Sequence, residues 1–165
     1  MESVLGQVLD FSRASKVECS SFDFGCMVEQ TLELARRRIR RPEIELLLSK
    51  PAGSIPFHGN YDQLSHAIFQ IFKLVTDDVA SRCKIFSRIE QRGNRIQLQM
   101  TPVCDDSGTD KTKTALEKTF AHNPATHRLS LMVAAETLKY HGGKYELVAH
   151  EGQSLPSIAL ELPIV

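Results

Sequence analysis

Residues 61–80 read YDQLSHAIFQIFKLVTDDVA, and the rest of the chain is organised around this stretch. Leu64, Ile68, Ile71, Phe72, Val75 and Val79 recur at steps of three, four and one, which places them on one stripe of an α-helix. Asn60 precedes the stretch and suits an N-cap, where a short polar side chain accepts from the orphan N–H groups of the first turn. Such a helix must bury its apolar stripe, and the flanking sequence supplies the surface. Lys84–Gln91 and Asn94–Thr101 read as a hairpin around Arg92-Gly93, with Ile96, Leu98 and Met100 alternating with Gln97 and Gln99. One sheet face is therefore covered and the other is more polar.

Toward the C-terminus, residues 102–127 are rich in Asp, Thr, Ser, Lys and Asn and enclose one short helical piece near Thr114–Phe120. A connection this long inside a domain is functional or mobile. A second long helix is predicted over Leu129–Tyr140, stopped by Gly142-Gly143. Strands over Tyr145–Ala149 and Ser157–Leu162 close the chain. Toward the N-terminus, Gly25–Arg40 is an amphipathic helix with Asp23 as its cap and Pro42 as its stop. Ser21–Phe24 reads as a short strand or entry loop and Ile44–Ser49 as a strand, while Pro51, Gly53 and Pro56 punctuate a loop. Ser3–Ala14 is a short apolar helix through Val4, Leu5, Val8, Leu9 and Phe11, marginal unless it packs on a partner. This order predicts a two-layer α/β (α+β) sandwich of helices on one mixed sheet.

Composition narrows the function classes. The chain has 165 residues, 42% hydrophobic, with 20 basic and 20 acidic side chains and no net charge. That balance removes the electrostatic basis for bulk binding to nucleic acid or anionic membrane. No apolar run approaches a membrane span, and the N-terminus lacks a signal-peptide pattern. Cys19, Cys26, Cys83 and Cys104 have neither C-x-x-C spacing nor the density of a disulfide scaffold. They read as structural cysteines of a reduced, cytoplasmic domain.

Six phrases, in order, resemble the ATP-binding domain of sensor histidine kinases, a family that belongs to a wider group with gyrase and mismatch-repair ATPases. VLDFSRASK at 8–16 is similar to the end of the preceding dimerisation helix, and FDFGCMVEQTLEL at 22–34 to the entry into the first helix. YDQLSHAIFQIF at 61–72 resembles the helix carrying the family's Asn motif, and VCDDSG at 103–108 its adenine loop. ALEKTF at 115–120 resembles the Phe-containing lid motif, and residues 138–163 the terminal helix and hairpin. The resemblance implies a Bergerat, histidine-kinase ATPase-like sandwich with a mixed, mostly antiparallel sheet and helices on one face. It assigns residues 1–17 to the end of a dimerisation-type helix and linker and 18–165 to the ATPase-like domain.

The same resemblance locates a nucleotide site and its departures. The family's N-L-x-x-N-A-x-K falls on Gln70, Leu74 and Asp77. Gln70 offers an amide oxygen where Mg²⁺ is ligated, Leu74 offers nothing polar, and Asp77 puts a negative charge where a Lys meets phosphate. The adenine loop retains Asp106 and Gly108, with Asp105 an alternative one residue earlier and Asp110 replacing a glycine. The glycine-rich turn that brings backbone N–H groups to phosphate falls on Thr126, Arg128 and Ser130. A vestigial site is thus implied at Asp106, Gly108, Gln70 and Arg128, disabled at Leu74, Asp77 and Ser130, with no catalytic residue and no metal ligand. The implied function is a degenerate, pseudokinase-type domain in two-component signalling, docking a response regulator or another kinase domain. The N-terminal helix points to a homodimer. No bound cofactor is expected; ATP and Mg²⁺ enter only under the alternative, a divergent but active catalytic domain. A second alternative is a histidine phosphotransferase with a vestigial ATPase-like domain, although no H-E-x-x-R/T-P phosphoacceptor motif occurs.

The remaining polar residues have plainer readings. His66 lies off the apolar stripe and reads as solvated rather than as a phosphoacceptor. His141 reads as a helix-end residue, and His58, His122, His127 and His150 lack metal-ligand spacing. The arginines at 36, 37, 38, 40 and 41 read as a solvated helix end, with a partner or anion contact as the alternative.

Overall fold

A computed structural model describes residues 19–79, 82–104, 125–148 and 157–164. The predicted helix Ser3–Ala14 and the helical piece Thr114–Phe120 lie outside these residues, as do Asp106 and Gly108. The elements run β1 (Ser20–Asp23), α1 (Phe24–Arg38), β2 (Glu45–Ser49), β3 (Pro56–Gly59), α2 (Tyr61–Asp78), β4 (Cys83–Arg92), β5 (Arg95–Cys104), α3 (Ala125–Tyr140), β6 (Lys144–Val148) and β7 (Ser157–Pro163). Five strands form a sheet in the order β2-β4-β5-β7-β6, and β1 and β3 form a separate antiparallel ladder. Only β2 and β4 run parallel; the other neighbours are antiparallel. The helices cover one face, giving the mixed two-layer sandwich expected.

Local chemistry starts and stops the helices. Asp23 caps α1 by accepting from the Cys26 N–H at 2.8 Å, and Asn60 caps α2 by accepting from the Gln63 N–H at 3.0 Å. The same Asp23 carboxylate accepts from the Ser54 hydroxyl and from the Ile55 N–H at 3.1 Å, tying the loop before β3 to the start of α1. The Ser54 hydroxyl and then the Cys26 N–H hold its pKa below the ordinary carboxylate range. α3 ends in a Schellman turn: Gly143 N–H reaches Leu138 O at 2.8 Å, Gly142 N–H reaches Lys139 O at 2.9 Å, and Gly142 has φ of 72°. A side chain at Gly143 would place a Cβ 2.5 Å from the Glu161 carbonyl, so the turn packs directly on β7.

The core lies between sheet and helices. Phe24, Met27, Val28 and Leu32 of α1 meet Leu64, Ile68, Ile71, Phe72 and Val75 of α2, above Ile85, Ile89, Ile96, Leu98, Met100, Ile158, Leu160 and Leu162 of the sheet. Each fully buried side chain of this size contributes about 1.5–3 kcal/mol relative to exposure. The predicted alternation in β5 holds, with Ile96, Leu98 and Met100 inward.

Three readings of the sequence are corrected. Pro56 opens β3 rather than a loop; proline is tolerated as the first residue of a strand. The hairpin loop is Gly93-Asn94, one residue later than expected, with Gly93 at φ 60°, the first position of a type II′ turn. That shift matters, because nine steps out along each strand from Arg92↔Arg95 lies the pair Cys83↔Cys104. The two are joined by a disulfide, with Cα atoms 4.1 Å apart, so the expectation of four reduced cysteines fails at this pair. Cys19 and Cys26 are free and exposed.

Candidate functional site

α2 carries the predicted site. His66, Gln70, Leu74 and Asp77 follow at steps of four, four and three and share one helix face. Gln70 is half-buried, and its amide Nε2–H donates to His66 Nε2 at 3.1 Å. His66 is open to solvent, yet desolvation by the surrounding protein lowers its pKa, which favours the neutral acceptor form this bond requires. Leu74 is buried at 7% exposure. Asp77 is exposed in the last turn, which holds no basic residue of its own. The negative end of the helix and the Asp77 carboxylate therefore lie together.

α3, packed against α2, carries Arg128 and Ser130 within its first turns, Ser130 half-buried. Thus Gln70, Leu74 and Asp77 are together on one helix and Arg128 and Ser130 on its neighbour. Their relation to Asp106 and Gly108 lies outside the described residues. Among those residues no group of three His, Cys, Asp or Glu could hold a metal ion. His122 and His150 lie outside them.

His141 joins the two helices. Its Nδ1 faces the Thr137 carbonyl at 2.7 Å, and its Nε2 faces the Asn60 N–H at 3.0 Å. A carbonyl only accepts and an N–H only donates, so the ring is the neutral tautomer with its proton on Nδ1. The C-terminus of α3 is thereby bonded to the N-cap of α2. Gly59 makes room: a Cβ there would come within 2.8 Å of His141 Cδ2. The helix-end reading of His141 was sound, but its long-range partner Asn60 carried no sequence signal.

Two of the clustered arginines bond backbone carbonyls of other elements. Arg41 donates to the Thr76 carbonyl at 2.7 Å and the Val79 carbonyl at 3.1 Å, capping the C-terminus of α2, and pairs with Glu43 at 3.0 Å. The Glu43 carboxyl is held below its ordinary range by its own backbone N–H and then by Arg41. Arg36 pairs with Glu33 and donates through Nε to the Leu46 carbonyl of β2 at 3.2 Å. Arg37, Arg38 and Arg40 are exposed, as a solvated helix end predicts. A cleft of about 710 Å³ lies between Arg36, Arg41, Ile44, Leu47 and Thr76. None of the predicted nucleotide residues is among its described walls.

The chain is similar to the nucleotide-free catalytic domain of the histidine kinase ThkA, with a TM-score of 0.70, 15% identity, and coverage of 90% of this chain and 97% of that one. It is similar to the mycobacterial sensor histidine kinase MprB, with a TM-score of 0.68, 16% identity, and coverage of 88% and 98%. It is also similar to ThkA solved in complex with the response regulator protein TrrA, with a TM-score of 0.73, 16% identity, and coverage of 99% of this chain and 47% of that one. No protein-family model and no curated protein sequence matches. The fold is that of histidine-kinase catalytic domains. No helix among the described residues is long and apolar enough to cross a membrane.

Proposed function

We propose that this chain is a degenerate histidine-kinase ATP-binding-like domain that acts in two-component signal transduction without appreciable ATP binding. Its role on this reading is regulatory, through docking of a response regulator or another kinase domain. The observation that carries it is the α2 face: a buried Leu74 between Gln70 and an exposed Asp77. A triphosphate held against this face would meet an apolar side chain, then a carboxylate, then the negative end of a helix dipole. At contact distance one like-charge pair costs about 4 kcal/mol at intermediate dielectric. Arg41 supplies a cation near that helix end, but its guanidinium is bonded to the Thr76 and Val79 carbonyls and to Glu43. These residues do not suit a Mg²⁺-triphosphate.

The fold supports a docking role independently of nucleotide, because a kinase of the same fold has been solved with a response regulator. The test is isothermal titration calorimetry of the folded chain with ATP and Mg²⁺. No saturable heat into the millimolar range is expected. Micromolar binding that disappears with EDTA would overturn the proposal in favour of an active catalytic domain.

A further inference from the structure

Cys83 and Cys104 are the terminal pair of the β4–β5 hairpin, directly opposite in register. Their surroundings are unequal. Cys83 is 1% exposed, inside the core, whereas Cys104 is partly buried at the core's edge. Cys104 is thus the more open of the two residues, and attack on its sulfur leaves Cys83 as the buried leaving group. Arg82, bonded directly to Cys83, has φ of 63° and is the one left-handed non-glycine among the described residues. An arginine is disfavoured there and stays only while its surroundings hold it. The bridge is one such hold, and it is redundant for pairing, since β4 and β5 are in register through all ten residue pairs.

We propose that Cys83–Cys104 is a reversible redox site that a dithiol reductant opens in the folded protein, releasing Arg82 from its left-handed turn and the end of the hairpin from its clamp. The thiolate of the dithiol attacks Cys104 Sγ, forming a mixed disulfide. Cys83 leaves as a thiolate and takes a proton. The second thiol of the reductant then attacks its own sulfur in the mixed disulfide and expels Cys104, which is protonated in turn. Two electrons pass to the protein and the dithiol leaves as a cyclic disulfide. Strain relieved on opening shifts this equilibrium toward the thiols. The site requires no nucleotide, so it stands or falls apart from the function proposed above.

The test equilibrates the full chain with graded ratios of reduced to oxidised dithiothreitol, without denaturant. Acid quenching, maleimide labelling and mass spectrometry then count the thiols beyond Cys19 and Cys26. Two further labels are expected to appear reversibly with the circular dichroism of the fold retained. Hydrogen exchange should quicken at the amides of 83–85 and 103–104. Arg82→Gly, which removes the strain, should require a ratio about fivefold or more reducing, and Arg82→Asn should shift it in the same direction. A pair that opens only in urea, that never oxidises, or whose midpoint stays within twofold in both variants would overturn the proposal.

Discussion

His141 bonds α3 to α2, and its removal should weaken the joint between the two helices that carry the candidate site. His141→Ala deletes the acceptor of the Asn60 N–H and the donor to the Thr137 carbonyl. Asn60 is 2% exposed, so losing the His141 acceptor of its N–H costs about 1–3 kcal/mol, with about 1 kcal/mol more for the second bond. Edge contacts with Tyr140 at 5.1 Å and the tilted Phe57 ring at 6.4 Å are also lost. Water entering the vacated, half-buried position offsets part of this, which leaves a net loss of about 2 kcal/mol. For a chain of this length that lowers Tm by roughly 4–8 °C. Urea denaturation followed by circular dichroism measures it, with His58→Ala as control. His58 is exposed and bonded only loosely to Ser21 at 3.3 Å, so its loss should stay within about 0.5 kcal/mol. A His141→Ala variant no less stable than His58→Ala would refute the helix-joining role.

Two further predictions concern buried or partly buried polar groups. Asp23→Asn keeps the shape of the cap but leaves one oxygen for the Cys26 and Ile55 N–H groups, and should cost about 1–2 kcal/mol at neutral pH. Because the folded carboxyl titrates below its unfolded value, its contribution is complete above about pH 4 and fades as pH falls through the folded pKa. The gap in urea midpoint between wild type and Asp23→Asn should therefore narrow as pH falls from about 4 toward about 3; a constant gap would contradict the assignment. Ser87 faces the core opposite Met100 at 2% exposure, and its hydroxyl has no hydrogen-bond partner among the described residues. Ser87→Ala removes that orphan and should raise stability by about 1 kcal/mol; a destabilised variant would mean the hydroxyl is satisfied.

What was legible shares a short range. Asp23 and Asn60 were readable as caps because each accepts from an N–H three residues on. Gly142-Gly143 was readable as a stop because only glycine enters the left-handed turn easily. β3 was not readable: its partner is Ser20–Asp23, far back in the chain, and its proline argued for a loop. In the hairpin a one-residue error in the turn concealed the register that brings Cys83 to Cys104. The arginine run likewise looked uniform, yet Arg36 and Arg41 are bonded to carbonyls of β2 and α2 while their neighbours face solvent.

The sequence by itself determined the three described helices, the caps at Asp23 and Asn60, the alternation of the hairpin and which residues share the α2 face, including Leu74 and Asp77. All of these depend on side chains within a turn or two, where geometry is set by backbone periodicity. Only the tertiary structure decided the disulfide, the Asn60–His141–Thr137 bridge and the separate uses of the arginines. Each of these satisfies a polar group or a sulfur with a partner many residues away. Close packing, not local pattern, chooses which distant group arrives.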